Sequence, residues 1–305
     1  MLQTLKFHAM GCEMLVALDH PESGTELHQV PKWFEHWEQL FSRFRLDSEL
    51  SRVNNSSGFS IRVSQEFAEV FELARMVEQR SDGLVTPVLL DALINAGYDR
   101  SFDLLVPKSD GIELHPYEVQ SGLYQIEWNA VTHTLFLPLG MHLDFGGIVK
   151  GWAAQKTVNR LKKYGPVLMD AAGDIAVSGR RSNGEYWPVG VADPFHLPAN
   201  LELLRLDTCG VATSGKDRRR WQQNGNWRHH IINPRTSLPV ETAVMSATVI
   251  APTSIQAEWA AKTSLILGSH MGLEWLNTNK EVAGLLVQED GSCLYSHNFE
   301  KYLWS

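Results

Sequence analysis

Four short stretches of this 305-residue sequence place turn glycines beside side chains that can do chemistry. In HLDFGGIVKGW (142–152), Asp144 precedes the Gly146-Gly147 pair and Lys150 follows it. A helix opening after such a turn offers unpaired N–H groups and the positive end of its dipole to an anion, and Lys150 adds a full charge. The same residues equally suit a tight strand-to-helix turn with a solvated lysine. In LMDAAGDI, which starts at Leu168, Asp170 and Asp174 flank a small-residue turn, where two carboxylates can bind a cation or hydroxyls, or simply cap turns. A third group joins VATSGKDRRR (211–220) to RHHIINPRTSL (228–238). Its Thr-Ser-Gly offers hydroxyls and backbone donors, and Lys216, Arg218, Arg219 and Arg220 can draw in a phosphate or form a solvated face. Adjacent His229 and His230 on a strand should point to opposite sides, so one should face inward, as an acid or base or as a satisfied core residue. The fourth, TSIQAEWAAKTSLILG (253–268), sets Glu258 and Lys262 one helical turn apart, the spacing of an ordinary surface ion pair.

The elements that must hold these groups are read from hydrophobic period. A strand is expected over 11–18, and amphipathic helices over 32–45 and 64–80, the second ended by Ser81-Asp82-Gly83. Residues 123–138 read as a hairpin turning near Asn129, and a helix runs from Gly146-Gly147 to about Tyr164. Short Val/Ile/Leu-rich runs at 166–178, 186–191, 201–206, 210–213, 228–232 and 244–251 read as strands. Helices follow at 254–267 and 271–278, then two strands within 282–296. Strands mostly follow strands, so an α+β fold with mixed, largely antiparallel sheets and packed helices is expected. No boundary divides the chain; a single domain over 1–305 is expected, with room for two packed lobes, and 101–122 reads as a surface excursion.

Composition narrows the classes of function. The chain is 44% apolar and 20% charged with a net charge of −8, which argues against a general nucleic-acid binder. Cys12, Cys209 and Cys293 form no CxxC pair, so neither a zinc ribbon nor a disulfide framework is supported. No run approaches the ~18 apolar residues of a membrane span, and the N-terminus shows no signal-peptide pattern, so a cytoplasmic protein is expected. No two glycines are separated by a single residue, which removes the GxGxxG fingerprint, and GxxxxGK[ST], HExxH and GxSxG are absent as well.

In order along the chain, several motifs resemble those of the FAD:protein FMN transferase (ApbE) family. They are Met10-Gly11, FSRFRLDSELSRVN (41–54), GLVTPVLLDALINAGYDRSF (83–102), LDFGGIVKGWA (143–153) and AAGDIAVSG (171–179). WPVGVADP (187–194), VATSG (211–215), HIINPRTSLP (230–239) and the alanine-rich helix at 257–268 complete the series. The resemblance implies an ApbE/T-fold-like architecture and an enzyme that binds FAD and moves its FMN part to a Thr or Ser hydroxyl of an acceptor protein, releasing AMP. It implies FAD contacts for Met10, Leu84, Val85, Thr86, Asp144, Lys150, Asp174, Thr213, Ser214 and Ile231, with proton transfer by His230. It also implies Mg²⁺ held by Gly147, Glu258 and Ala261.

Departures from the family pattern fall at these same places. Thr86 stands for the usual Asp, Asp170 and Ala172 replace residues of an Asn-x-Gly-Gly-Asp turn, and Asn233 and Ser237 stand where Asp and Gly are usual. In the late helix, Glu258 replaces an Asp and Lys262 a metal-binding Thr. An ammonium cannot ligate Mg²⁺, which takes oxygen donors, so the sequence leaves two places for Lys262: that of the cation, neutralising phosphate beside Glu258, or an ordinary surface pair with Glu258. Two readings follow: a flavin transferase with an altered metal site, or a flavin-nucleotide-binding homologue that has lost transfer and serves as a carrier, a regulator or a slow FAD hydrolase.

Overall fold

Within the main sheet, Val167–Ala171, Asp174–Ser178 and Ala283–Gln288 are buried along nearly their whole length, the pattern of strands covered on both faces. A computed structural model of the chain describes residues 1–20, 25–105, 122–223 and 225–304. The chain divides into two compact units: Met1–Phe34 with Lys150–Asp217 and Thr242–Ser305, and Glu35–Val149 with Arg218–Glu241.

The first unit is built on eight strands: β1 (Leu2–Ala9), β2 (Cys12–Asp19), β3 (Val167–Ala171), β4 (Asp174–Ser178), β5 (Cys209–Gly215), β6 (Val244–Ala251), β7 (Ala283–Gln288) and β8 (Cys293–Tyr295). Sequence order is also spatial order, and each strand is antiparallel to the next. Leu168, Ile175, Val211 and Leu285 join Leu204 and Phe299 in one buried apolar cluster. The helical segment Ser254–Thr278 packs on β5, β6 and β7. Gly268 interrupts it with φ +81°, so the two helices expected at 254–267 and 271–278 are present as two arms of one segment.

β1 was not among the expected strands. Its inward Leu5, Phe7 and Ala9 alternate with Thr4, Lys6 and His8, and it joins β2 through Met10 (φ +51°) and Gly11 (φ +66°). Two consecutive left-handed residues make the tight hairpin turn whose twist matches that of the strands. β3 and β4 are joined in the same way, through Ala172 (φ +59°) and Gly173 (φ +95°).

In the second unit, the expected helix at 64–80 forms over Gln65–Arg80. Ser64 caps it by accepting the Phe67 N–H, and Glu49 in turn accepts both the N–H and the hydroxyl of Ser64. Phe67 meets Phe41 and Phe145 at ring-centroid distances of 5.9 and 5.4 Å, which fixes the helix in the core. The hairpin expected near Asn129 forms from Glu127–Asn129 and Thr134–Phe136, extended to three strands by Ser60–Arg62. Asn129 Oδ1 accepts from the N–H groups of Val131 and Thr132, which builds the turn. Two short helices, Glu49–Asn55 and Leu90–Asn95, were not expected from periodicity; each is too short to show a full amphipathic pattern. Most of the proposed excursion, residues 106–121, lies outside the described residues. Among the described residues no helix is long and apolar enough to cross a membrane.

Candidate functional site

In the first unit, four charged side chains meet where the helix Val149–Leu161 approaches the helix that begins at Ser254. Lys150, second in its helix, donates to the Asp174 carboxylate at the start of β4. Glu258 accepts the Gly151 N–H on Oε2 at 2.9 Å and the Lys262 ammonium on Oε1 at 3.0 Å. Ser254 Oγ donates to the Gly151 carbonyl at 2.7 Å, tying the two helices a second time. A Cβ on Gly151 would sit 2.7 Å from Glu258 Oε2 and 2.9 Å from the Ser254 carbonyl, so only glycine permits this approach. Glu258 is buried, so the Glu258–Lys262 pair is not the surface pair that its spacing suggests. Burial pushes the Glu258 carboxyl up from its ordinary value, against the pull of Lys262.

Asp170 lies on β3 and accepts the Gly173 N–H at 2.7 Å across the turn. Desolvation raises its pKa, with the Asp174 charge adding to the effect. Thr213 and Ser214 lie on β5, with the Thr213 hydroxyl 2.9 Å from that of Thr248. Lys216 is not part of a solvated basic face: its buried ammonium donates to the Thr242 carbonyl at 2.5 Å and to Glu289 at 2.6 Å. Met10 sits half-buried at the β1–β2 turn.

The second unit holds the remaining expected residues. Asp144 Oδ2 lies 2.7 Å from Arg43 Nε, and its Oδ1 accepts the Gly146 N–H at 2.6 Å. The Arg43 guanidinium also donates to the Tyr98 carbonyl at 2.8 Å and lies over the rings of Phe44 and Tyr98. Arg43 was missed as a partner of Asp144; its place between two phenylalanines in FSRFR was the available signal. Leu84, Val85 and Thr86 are buried, and the Thr86 hydroxyl donates to Glu78, whose other oxygen accepts the Leu123 N–H at 2.8 Å. Gly147 is half-buried and Ile231 is buried.

The expectation for the histidines is corrected. The strand Asn226–His229 ends before His230, so alternation does not govern the pair, and both rings are half-buried. His229 Nε2 lies 3.2 Å from the Val240 carbonyl and His230 Nδ1 lies 3.4 Å from the Arg219 carbonyl.

The residues expected to hold Mg²⁺ do not fit it. Both Glu258 oxygens are engaged, Ala261 is fully buried with its carbonyl accepting from Ser264 Oγ at 3.1 Å, and Lys262 brings a cation where a ligand oxygen is needed. Among the described residues no cluster of three or more His, Cys, Asp or Glu side chains is disposed to hold a metal.

Fold and side-chain cluster define an α+β protein built on a largely antiparallel sheet. The chain belongs to the ApbE family, whose sequence profile matches residues 10–286. A FAD:protein FMN transferase of Treponema pallidum is 29% identical over 92% of this chain and 82% of its own length. One of Vibrio cholerae is 25% identical over 92% and 86% respectively. Among solved structures, the ApbE protein of Thermotoga maritima superposes with a TM-score of 0.87 at 21% identity, covering 100% of both chains. The apo flavinyl transferase ApbE of Pseudomonas stutzeri gives 0.82 at 22% identity, covering 100% of this chain and 98% of its own.

Proposed function

We propose that this chain is a flavin transferase that moves FMN from FAD to a threonine or serine hydroxyl of an acceptor protein and releases AMP. The observation that carries this reading is membership of the ApbE family over residues 10–286, together with relatives named FAD:protein FMN transferase that align along nine tenths of the chain.

The reaction is attack of the acceptor hydroxyl oxygen on the flavin-side phosphorus of FAD. The new P–O bond forms as the bond to the bridging oxygen breaks, the leaving electron pair stays with AMP, and the hydroxyl proton passes to a base. Because there is little covalent work for the protein, positioning and charge neutralisation dominate. Lys150 at the opening turn of its helix supplies a positive charge that the helix dipole reinforces. Asp174 holds that ammonium in place. Thr213 and Ser214 on β5 serve the nucleotide, Met10, Leu84, Val85 and Thr86 are assigned to the flavin, and Asp144 and Ile231 to FAD. His230 takes the hydroxyl proton as general base.

The test is incubation of the full chain with FAD and an acceptor protein bearing a known flavinylation threonine. Covalent flavin fluorescence on the denatured acceptor and stoichiometric AMP are expected. FAD bound without either product would overturn transfer in favour of a flavin carrier.

A further inference from the structure

We infer that the Lys262 ammonium supplies, from within the chain, the positive charge that a divalent cation would bring to the pyrophosphate, so that flavin-nucleotide binding and transfer here need no divalent metal. The inference rests on the flavin-transferase reading and concerns how that site neutralises its substrate.

Three observations carry it. The first is that the cluster is layered by charge. The Glu258 and Asp174 side chains are 1% and 4% exposed, whereas their partners Lys262 and Lys150 are 16% and 19% exposed. In both pairs the carboxylate is inside and the ammonium is toward solvent, so an anion arriving from solvent meets two ammonium groups and not two carboxylates.

The second is donor capacity. An ammonium has three N–H donors, and among the described residues the only hydrogen bond of Lys262 is the one to Glu258. Two donors remain for phosphate oxygens.

The third is that the carboxylate is already committed. Glu258 is held from behind by the Gly151 N–H at 2.9 Å, on a backbone approach that a Cβ would prevent. A metal would have to displace Lys262 and strand its charge beside the buried cluster, at the cost of breaking a buried pair. An ammonium carries one charge where Mg²⁺ carries two, so Lys150 bears a larger share of the neutralisation.

The test uses the full-length protein. FAD is titrated in EDTA and in excess MgCl₂, followed by flavin fluorescence, and MgCl₂ alone is titrated by calorimetry into the apo and FAD-loaded protein. The expected results are FAD dissociation constants equal within about twofold in the two media and no Mg²⁺ binding heat. Lys262→Thr, alone and with Glu258→Asp, should weaken FAD binding in EDTA by about tenfold or more, a factor of ten being 1.4 kcal/mol. Mg²⁺ should then restore it, and Lys262→Arg should keep the wild-type indifference to metal. Loss of wild-type FAD binding in EDTA with recovery in Mg²⁺ overturns the inference and leaves the transferase reading standing. A Lys262→Thr protein that binds FAD like wild type in EDTA overturns it as well. If that variant does not fold, the wild-type comparison alone decides. FAD binding that ignores metal, without transfer in either medium, overturns the transferase reading and supports the ammonium's role in binding. No FAD binding in either medium overturns both.

Discussion

Arg43 Nε sits 2.7 Å from Asp144 Oδ2 in the second unit, with both side chains largely removed from solvent. The guanidinium is fixed independently by the Tyr98 carbonyl and by the rings of Phe44 and Tyr98, so it determines where the Asp144 carboxylate points. Removing one partner of a buried pair leaves an uncompensated charge, so Arg43→Ala should destabilise the protein by about 3–5 kcal/mol. Urea unfolding measures this. Arg43→Lys should recover only part of the loss, because a single ammonium cannot hold the carboxylate and the Tyr98 carbonyl while stacking on two rings. A double variant, Arg43→Met with Asp144→Leu, should be more stable than Arg43→Ala, since no lone buried charge remains.

Gly151→Ala tests the helix–helix contact beneath the candidate site. Replacing a helical glycine by alanine gains up to about 1 kcal/mol of intrinsic propensity. Here the added methyl would stand 2.9 Å from the Ser254 carbonyl, which is backbone, and 2.7 Å from Glu258 Oε2. Overpacking of this kind costs about 1–3 kcal/mol, so the net change should be destabilising despite the better propensity. Thermal unfolding should show a lower Tm, and the Glu258–Lys262 pair should shift with it.

The parts of the fold legible in the sequence were those encoded locally. An apolar period of three and four residues over 64–80, closed by Ser81-Asp82-Gly83, marks a helix, and Asn129 between two short alternating runs marks a turn. The pairing order of the sheet was not legible, because strands covered on both faces carry no alternation that sets inside from outside. β1 was missed because only Leu5, Phe7 and Ala9 point inward along it. The site divides in the same way. Lys150, Asp174 and Glu258 stand out through motif order, yet spacing alone could not separate a surface ion pair from a buried one at Glu258 and Lys262. What buries that pair is Gly151, 107 residues away in the chain, and no local pattern carries a contact of that separation.

Ala172 (φ +59°) and Ser237 (φ +60°) hold the left-handed backbone that glycine adopts most readily. A Cβ there costs roughly 1–2 kcal/mol, partly offset by the entropy that glycine adds to the unfolded chain. Ala172 is exposed at the β3–β4 turn, so its methyl group contributes little packing in return. Ala172→Gly should therefore stabilise the protein by about 1 kcal/mol, seen as a higher urea midpoint with an unchanged m-value. An unchanged or lower midpoint would mean that the turn relaxes without strain.

Beside that turn, the Asp170 pKa lies above the ordinary value of 3.8, chiefly because the carboxyl is desolvated. A raised carboxyl pKa means that the folded state holds the proton more tightly than the unfolded chain does. The contribution is fully present below the unfolded value and is lost as pH rises through the folded one. Wild-type stability should accordingly fall as pH climbs from about 4 toward neutrality, to the extent that Asp170 sets the slope. Asp170→Asn keeps an oxygen to accept the Gly173 N–H, now at 2.7 Å, and removes a charge that faces Asp174. The variant should be more stable than wild type at pH 7 and show a flatter pH profile, while the two converge as pH falls below the raised folded value of the wild-type carboxyl. Equal stability at pH 7 with parallel profiles would show that the buried carboxylate is fully compensated by Lys150 and the turn amide.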